Sequence, residues 1–412
     1  MILRNPSLLT LLVAEVVSSV GSRMTALALP WFVLVTTGSP TRMGVILAAE
    51  LLPVGLLGIP SGTVVSRLGA RKTMIVSDAI RIPLMALIPL LHAAGVLSFP
   101  LLLVLVVAFG CFWAPYFAAQ RVVLPELLGE DERTIAQANT VIDGATQTAA
   151  LLGPALAGVL IPLIGTANVL YVDAASFGVS AVLVLLFVRT RARAAQQESG
   201  GIFAGLSYFI RDPLLGPLAT VIVLYNTLGQ MLFAALPVLA FEHFHSAHAG
   251  GWLLAAFGLG GLLGTIVAFQ VVARVDPLKL AMTSVLAIAL PIWILVFQPP
   301  LGPALIALGL SAFANPFVNA PFFGILTTRT PEALRAKVMT AVITLATIAG
   351  PIGLLVAGPL IEHEGLPSTF GIVAGGETAV SLLFILLLAR FRRSQVVQPD
   401  ALSTVSVVDS RP

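Results

Sequence analysis

Apolar runs long enough to cross a bilayer recur from one end of this chain to the other, and nothing else in the sequence restricts its fold as strongly. Leu101–Phe109 and Ala181–Val188 are apolar at every position, so they lack the alternation of a barrel strand and read as helix. About 20 such residues span a hydrocarbon core at 1.5 Å per residue. The 412 residues are 58% hydrophobic and 10% charged, with a mean hydropathy of +1.02. A domain facing water on all sides is excluded by those values, so lipid is the solvent. Ala26-Leu27-Ala28 resembles a signal cleavage site, yet Glu15 and Arg23 interrupt the stretch before it, which predicts a retained first span.

Spans are predicted at roughly 8–36, 41–66, 73–94, 99–121, 136–161, 167–189, 213–243, 248–274, 278–298, 302–328, 335–362 and 368–390. The expected fold is therefore an all-α membrane protein of twelve transmembrane helices in two six-helix bundles. Basic residues supply an independent check on the count. They gather in alternate connections: Arg67, Arg71 and Lys72; Arg133; Arg189, Arg191, Arg193 and Arg211; Arg274 and Lys279; Arg335 and Lys337; and Arg390, Arg392 and Arg393. The opposite connections hold only Arg42. The positive-inside rule then predicts both termini in the cytoplasm of a multi-pass cell-membrane protein, the inner membrane in a bacterium. The net charge of +3 is accounted for by topology, so no nucleic-acid partner is expected.

Residues 1–190 and 213–390 are the expected bundles, joined by a cytoplasmic linker over 191–212 and followed by a polar, disordered tail over 391–412. Inside the linker, Phe203, Leu206, Phe209 and Ile210 have helical spacing suited to a short helix on the membrane surface. The bundles read as copies. Phe112-Trp113-Ala114-Pro115 lines up with Phe313-Ala314-Asn315-Pro316 at a shift of 201 residues, and Gly153 and Gly158 meet Gly353 and Gly358 at 200. Val54-Gly55-Leu56-Leu57-Gly58 matches Gly260-Gly261-Leu262-Leu263-Gly264 at 206, and Pro30 matches Pro237 at 207. Loop-length differences explain drift of that size in a parallel repeat.

These residues also carry a family likeness. Gly62-Thr63-Val64-Val65-Ser66-Arg67-Leu68-Gly69-Ala70-Arg71-Lys72 resembles the loop signature G-x-L-a-D-R-x-G-R-K of the major facilitator superfamily. The Asp of that pattern is Ser66 here, with Asp78 and Arg81 lying just beyond. Gly153-Pro154-Ala155-Leu156-Ala157-Gly158 is similar to the glycine-proline element of the antiporter branch. With Pro125, Ala136-Gln137-Ala138-Asn139 and Tyr171-Val172-Asp173-Ala174-Ala175-Ser176-Phe177, the chain resembles exporters of the macrolide-efflux and enterobactin-export type. The resemblance implies a secondary transporter, expected to be a monomer, that exchanges protons for amphiphilic drug-like or siderophore-like molecules. It also implies a conformational-gating set of Gly62, Arg67, Gly69, Arg71, Lys72, Asp78, Arg81, Gly153, Pro154 and Gly158. Arg67, Arg71 and Lys72 are open to two readings: positive-inside topology alone, or caps on neighbouring helix ends made only in the outward-facing state. Gly58, Pro60 and Gly62, like Gly153, Pro154 and Gly158, permit close helix approach.

Charges inside spans carry the most chemical information, because each costs about 2.5–3.5 kcal/mol at mid-depth on insertion scales. Glu15 and Asp143 fall at similar depths and form the expected proton-coupling pair, two carboxylates sharing one proton. Arg23 and Glu50 fall at comparable depth as well, and pair either structurally or around substrate. Asp78 with Arg81 reads as a pair near the cytoplasmic edge. The resembled fold lines its cavity with spans one, four, seven and ten, which offer Trp113, Tyr116, Gln120, Tyr225, Asn226, Gln230, Asn315 and Asn319 alongside Phe112, Phe117, Phe233 and Phe317. Together with Arg23 and Glu50, the polar members are the expected substrate-binding residues. Asp173 and Glu377 lie in spans six and twelve, peripheral in that fold, and fall outside the expected site.

No nucleotide-binding signature and no nucleophile–base constellation is found, so neither enzyme chemistry nor a cofactor is expected. His243, His245, His248 and His363 read as solvated loop residues, with no metal site. Two other functions compete with efflux: import of a sugar or metabolite on the same fold, and a membrane-embedded enzyme or lipid-handling protein.

Overall fold

The computed structural model describes residues 6–129, 132–188, 202–212, 215–272 and 274–397. Linker residues 191–201 and tail residues 398–412 lie outside that range.

Helix follows helix throughout. The first half of the chain contributes α1 (Pro6–Thr37), α2 (Pro40–Leu68), α3 (Ala70–Ala93), α4 (Phe99–Leu128), α5 (Glu132–Ile164) and α6 (Thr166–Phe187). Short α7 (Ile202–Arg211) leads into α8 (Leu215–Val238), whose last turn widens into a π-helix at Leu239–His243 after Pro237. Then come α9 (Ala247–Val271), α10 (Pro277–Ala289), α11 (Trp293–Val296), α12 (Leu301–Arg329) and α13 (Glu332–Val397). Among the described residues eleven helical stretches are long and apolar enough to cross a membrane. One of them joins α10 to α11 through a 3-10 turn at Leu290–Ile292, where Pro291 supplies no N–H for the α-helical ladder. Another, Lys337–Arg390, is broken by Gly365 at φ +80°.

Sequence signals explain the helix ends. Ser39 accepts from the Arg42 N–H at the start of α2, Ser98 does so from Leu101 N–H for α4, and Asp276 from Lys279 N–H for α10, with proline in the first turn each time. Gly69, at φ +81°, closes α2 in a conformation that residues with a Cβ rarely adopt. Short connections make neighbours antiparallel. The membrane-length stretches therefore run between a terminal end, where α1 begins, and a distal end that carries Ser39, Gly95, Gly165, Ser246, Gln298 and Gly365.

The repeat seen in the sequence returns as repeated packing. Gly153 of α5 lies against Val20 and Arg23 of α1, and Gly353 of α13 lies against Thr227 of α8. Gly158 of α5 packs on Gly251 of α9, while Gly358 of α13 packs on Pro40 and Thr41 of α2. The latter two contacts cross between the halves. A Cβ on Gly251 would stand 2.6 Å from the Pro154 carbonyl oxygen and 2.8 Å from Gly158 Cα, and one on Gly44 would stand 2.5 Å from the Leu354 oxygen. Backbone therefore meets backbone across the distal end. At the terminal end the halves part: Gly58 and Gly62 of α2 and Gly144 of α5 have nothing within 4 Å of a Cβ position. Among the described residues, the molecule is sealed distally and open terminally.

α7 forms as the spacing predicts, but Phe209 is fully buried in the core cluster of Leu215, Leu326 and Phe384, while Ile210 is exposed. The short helix is thus anchored to the second half through α8, α12 and α13.

Candidate functional site

Two cavities meet between the halves. The larger, about 510 Å³, is lined mainly by the first half and includes Glu15, Arg23, Glu50, Arg81, Trp113, Tyr116, Phe117, Gln120 and Asp173. The other, about 390 Å³, belongs to the second half and includes Tyr225, Asn226, Asn315, Asn319, Phe322 and Phe384. Leu51 and Gln230 line both. The result is one chamber with a charged side and an apolar side.

On the charged side α1 supplies Glu15, buried at 7% exposure. The Tyr116 hydroxyl of α4 donates to its Oε2 at 3.0 Å and Ser19, one turn along α1, donates to Oε1 at 3.2 Å. Arg81 of α3 is 2% exposed, paired with Asp78 at 3.2 Å, and packed over the rings of Phe177 at 3.9 Å, Phe109 at 4.8 Å and Tyr116 at 5.4 Å. Aromatic faces replace part of the hydration that the guanidinium loses. Asp78 Oδ2, Arg81 Nε and Ser180 Oγ are buried without hydrogen-bond partners. Asp173 of α6 is fully buried and accepts from the Thr25 hydroxyl at 2.6 Å. Glu15, Glu50, Asp78 and Asp173 all lie within the electrostatic reach of Arg81. Several carboxylates thus share one buried cation.

Several expectations need correction. Asp143 does not pair with Glu15: it is exposed and lies one turn toward the terminal end on the stripe of α5 that carries Thr146, Gln147 and Ala150 into the chamber. Glu15 instead turns toward α4 and takes Tyr116. Arg23 and Glu50 both face the lumen without joining in an ion pair. Glu50 lies ten residues from the distal start of α2 and Arg23 fourteen from the distal end of α1, an offset of about 6 Å at 1.5 Å per residue. Asp78 and Arg81 are a buried pair deep in α3 rather than one at an edge, with Arg81 about 16 Å in from Ala70.

Gating residues are corrected in the same way. Arg71 caps α6 while the terminal end is open, donating from Nε to the Val184 oxygen at 3.3 Å and from Nη2 to the Leu185 oxygen at 2.5 Å. Carbonyls at a helix C-terminus lack partners in any state, so this cap is not confined to an outward-facing one. Arg67 and Lys72 are exposed. Gly62 approaches nothing, and the close contacts of α2 fall at Gly44 and Gly55 instead. Gly153 and Gly158 do make close approaches, with Pro154 beside Gly251. Phe317 packs with Ala268, Leu280 and Phe313 away from the chamber, whereas Phe117 and Phe233 line it.

On the apolar side, Asn319 donates to Asn315 at 2.9 Å, so the two share a helix face as their spacing requires. Asn226 is tied to the Ile222 carbonyl at 2.9 Å. Asp173 is the residue that sequence reasoning set aside and the fold brings into the chamber. A carboxylate in an otherwise apolar span was the available signal.

Membrane-length helices around a polar chamber open at one end define a membrane transporter of the major facilitator type. Residues 2–406 match the family described as transmembrane secretion effector, and the chain belongs to that family. It is 29% identical to the multidrug efflux pump Tap of Mycolicibacterium fortuitum over 395 residues, covering 92% of this chain and 93% of the pump. Identity to the Tap pump of Mycobacterium tuberculosis is 28% over 384 residues, 89% of this chain and 90% of that one. Among solved structures, a mutant of the nucleoside transporter NupG superposes with a TM-score of 0.78 at 16% identity over 92% of this chain and 99% of that one. A bacterial homologue of the lysosomal transporter Spinster, inward-facing and unoccupied, gives 0.74 at 16% over 94% and 97%. At such identities the likeness concerns the fold alone.

Proposed function

We propose that this protein is a proton-coupled exporter of amphiphilic small molecules working by alternating access. Counting the helix broken at Gly365 as two spans gives twelve, six in each half, which rock about the chamber between them. The terminal end is the cytoplasmic one, by the distribution of Lys and Arg. The conformation described above is then open to the cytoplasm, ready to load cargo.

One observation carries this reading: a single chamber whose two sides differ in kind. Its apolar side, with Phe322, Phe384 and a few amides, suits a large organic body that needs little directional bonding. Its charged side sets Glu15, Glu50, Asp78 and Asp173 within reach of one buried guanidinium, Arg81, with Arg23 also lining the chamber, an excess of negative charge that proton uptake would reduce. Glu15 is the group best placed to take that proton, since it lines the chamber and its hydrogen bonds come from hydroxyls that can also accept. Closing a less charged chamber into lipid-enclosed protein is cheaper than closing a more charged one, which links proton occupancy to rocking. Export from the cytoplasm is supported by the Tap relatives.

Inverted membrane vesicles test the direction. Acidifying their interior by respiration drives accumulation of an exported dye such as ethidium, and a protonophore collapses it. Vesicles that take up no dye under a full gradient, yet release preloaded dye down it, contradict efflux and favour import.

A further inference from the structure

Arg23 faces the chamber without a counter-charge. It lines the larger cavity, is exposed to the lumen, and has neither an ion pair nor a hydrogen bond from its guanidinium among the described residues. The direction in which it leaves α1 explains why. Gly21 and Thr25 both turn toward Asp173 of α6: a Cβ on Gly21 would stand 2.6 Å from Asp173 Oδ1, and the Thr25 hydroxyl donates to Oδ2 at 2.6 Å. Arg23 stands two residues from each, about 200° around the helix, and so leaves by the opposite face. Glu15, Glu50, Asp78 and Asp173 lie within reach of Arg81 instead. The chamber gathers its carboxylates around one guanidinium and leaves the other alone.

The walls beside Arg23 carry further unused donors. Gly153 of α5 lies against Arg23 Cβ, and Gly258 of α9 lies against Ala150, one turn along α5 toward the terminal end. Side chains of α1 lean in that same direction, so three helices and both halves meet beside the guanidinium. Ser22, next to Arg23, and Gln147, one turn beyond Ala150, line the same cavity, and neither side chain has a hydrogen-bond partner among the described residues. Gly261, one turn from Gly258, has nothing within 4 Å of a Cβ position, which leaves room in front of it. A guanidinium offers five N–H donors in a fork that matches two oxygens of an oxyanion. Water satisfies those donors while the chamber is open. When it closes, the charge loses that hydration and needs a partner that no carboxylate beside it supplies.

We infer that Arg23, with Ser22 and Gln147 beside it, is a subsite for one oxyanion group of the cargo, a carboxylate or a sulfonate, whose apolar body extends past Gln230 into the second cavity. This rests on the exporter reading and adds a preference to it: an amphiphile that carries such a group binds more tightly than the same molecule without it. Neutral and cationic cargo still enters through the rest of the chamber.

The test uses the full-length protein in phosphatidylcholine nanodiscs and two fluorescent probes of nearly equal shape, dansylated aminohexanoic acid and its neutral primary amide. At neutral pH the native chain is expected to bind the acid at least about tenfold more tightly, as charge-assisted hydrogen bonds allow. Arg23→Gln removes that preference and leaves the amide within about twofold, which also shows that the chamber is intact. Arg23→Lys, which keeps the charge and loses the fork, retains about a threefold preference. Inorganic phosphate at millimolar concentration displaces neither probe; displacement of the acid alone assigns the site to a free anion and overturns the cargo subsite. Equal native affinity for the two probes overturns it while leaving the exporter reading standing, and a preference that survives in Arg23→Gln overturns it in favour of another cation. Equal losses of both probes in Arg23→Gln overturn it in favour of a structural role. A native chain that binds neither probe overturns the amphiphile reading and the subsite together.

Discussion

Arg81 is the twelfth residue of α3 and Ile288 the twelfth of α10, the corresponding helix of the second half. The first is a buried guanidinium ringed by Asp78, Phe109, Tyr116 and Phe177; the second is an aliphatic wall of the other cavity. Tyr116, which holds Glu15, meets Phe317 at the repeat shift of 201, and Phe177 and Glu377 each stand twelve residues past a positive-φ glycine, Gly165 and Gly365. Meanwhile Gly153 and Gly353, and Gly158 and Gly358, keep the same packing relations in both halves. Backbone approach has been held constant where the halves must slide and seal, since a Cβ there meets main chain. Side chains around the chamber meet other side chains rather than opposing main chain, so they were free to diverge together, one side toward charge and the other toward apolar volume.

Swapping chemistry at equivalent positions should have unequal effects. Arg81→Met leaves Asp78 and its neighbouring carboxylates without their cation, a loss of about 3–5 kcal/mol. Ile288→Met conserves volume in an apolar wall and should cost less than about 1.5 kcal/mol. Thermal unfolding in detergent compares them; similar losses would erase the distinction between the halves. Swapping the shared backbone contacts should instead have matched effects. Gly158→Val and Gly358→Val each wedge the distal seal, and overpacking of about 1–3 kcal/mol predicts roughly tenfold to hundredfold slower transport in both. A tenfold disparity between the two would show that the seal is not symmetric.

Smaller changes sharpen the division of labour. Asn315→Ala removes the acceptor of Asn319 in the apolar cavity, worth about 1 kcal/mol. Substrate affinity should fall about fivefold, with the pH dependence of transport unmoved; a shifted pH profile would place proton coupling on both sides of the chamber. Smallest of all, Glu362→Gln loosens a polar link across the distal end, where the carboxylate accepts from Ser39 Oγ at 2.8 Å and Thr41 N–H at 3.1 Å. The site is exposed, so spin-label distances across that end should show only about a threefold gain in the opened population. No change at all would leave the glycine contacts as the whole of the seal.

Much of this was legible in the residues. Span positions follow from apolar length, and α2, α4 and α10 begin where Ser39, Ser98 and Asp276 precede proline. The repeat was legible because glycines at close approaches tolerate no replacement. Pairing among buried charges was not. Depth along a helix can be counted, but which way a side chain turns depends on helix rotation and tilt, set by packing. Thus Glu15 and Asp143 share a level yet face different surroundings, and Arg23 misses Glu50. Asp173 was legible as a costly charge, and only the fold shows that α6 delivers it to the chamber through Thr25.

The central claim is that Glu15 couples protons while the apolar cavity holds cargo, and it can be separated from binding in proteoliposomes containing Glu15→Gln. Counterflow, the exchange of labelled for unlabelled substrate with no pH gradient, should proceed at near-native rate, while uphill export driven by an imposed pH gradient falls at least about tenfold. Native uphill export by Glu15→Gln, or loss of counterflow and uphill export to the same degree, would contradict it.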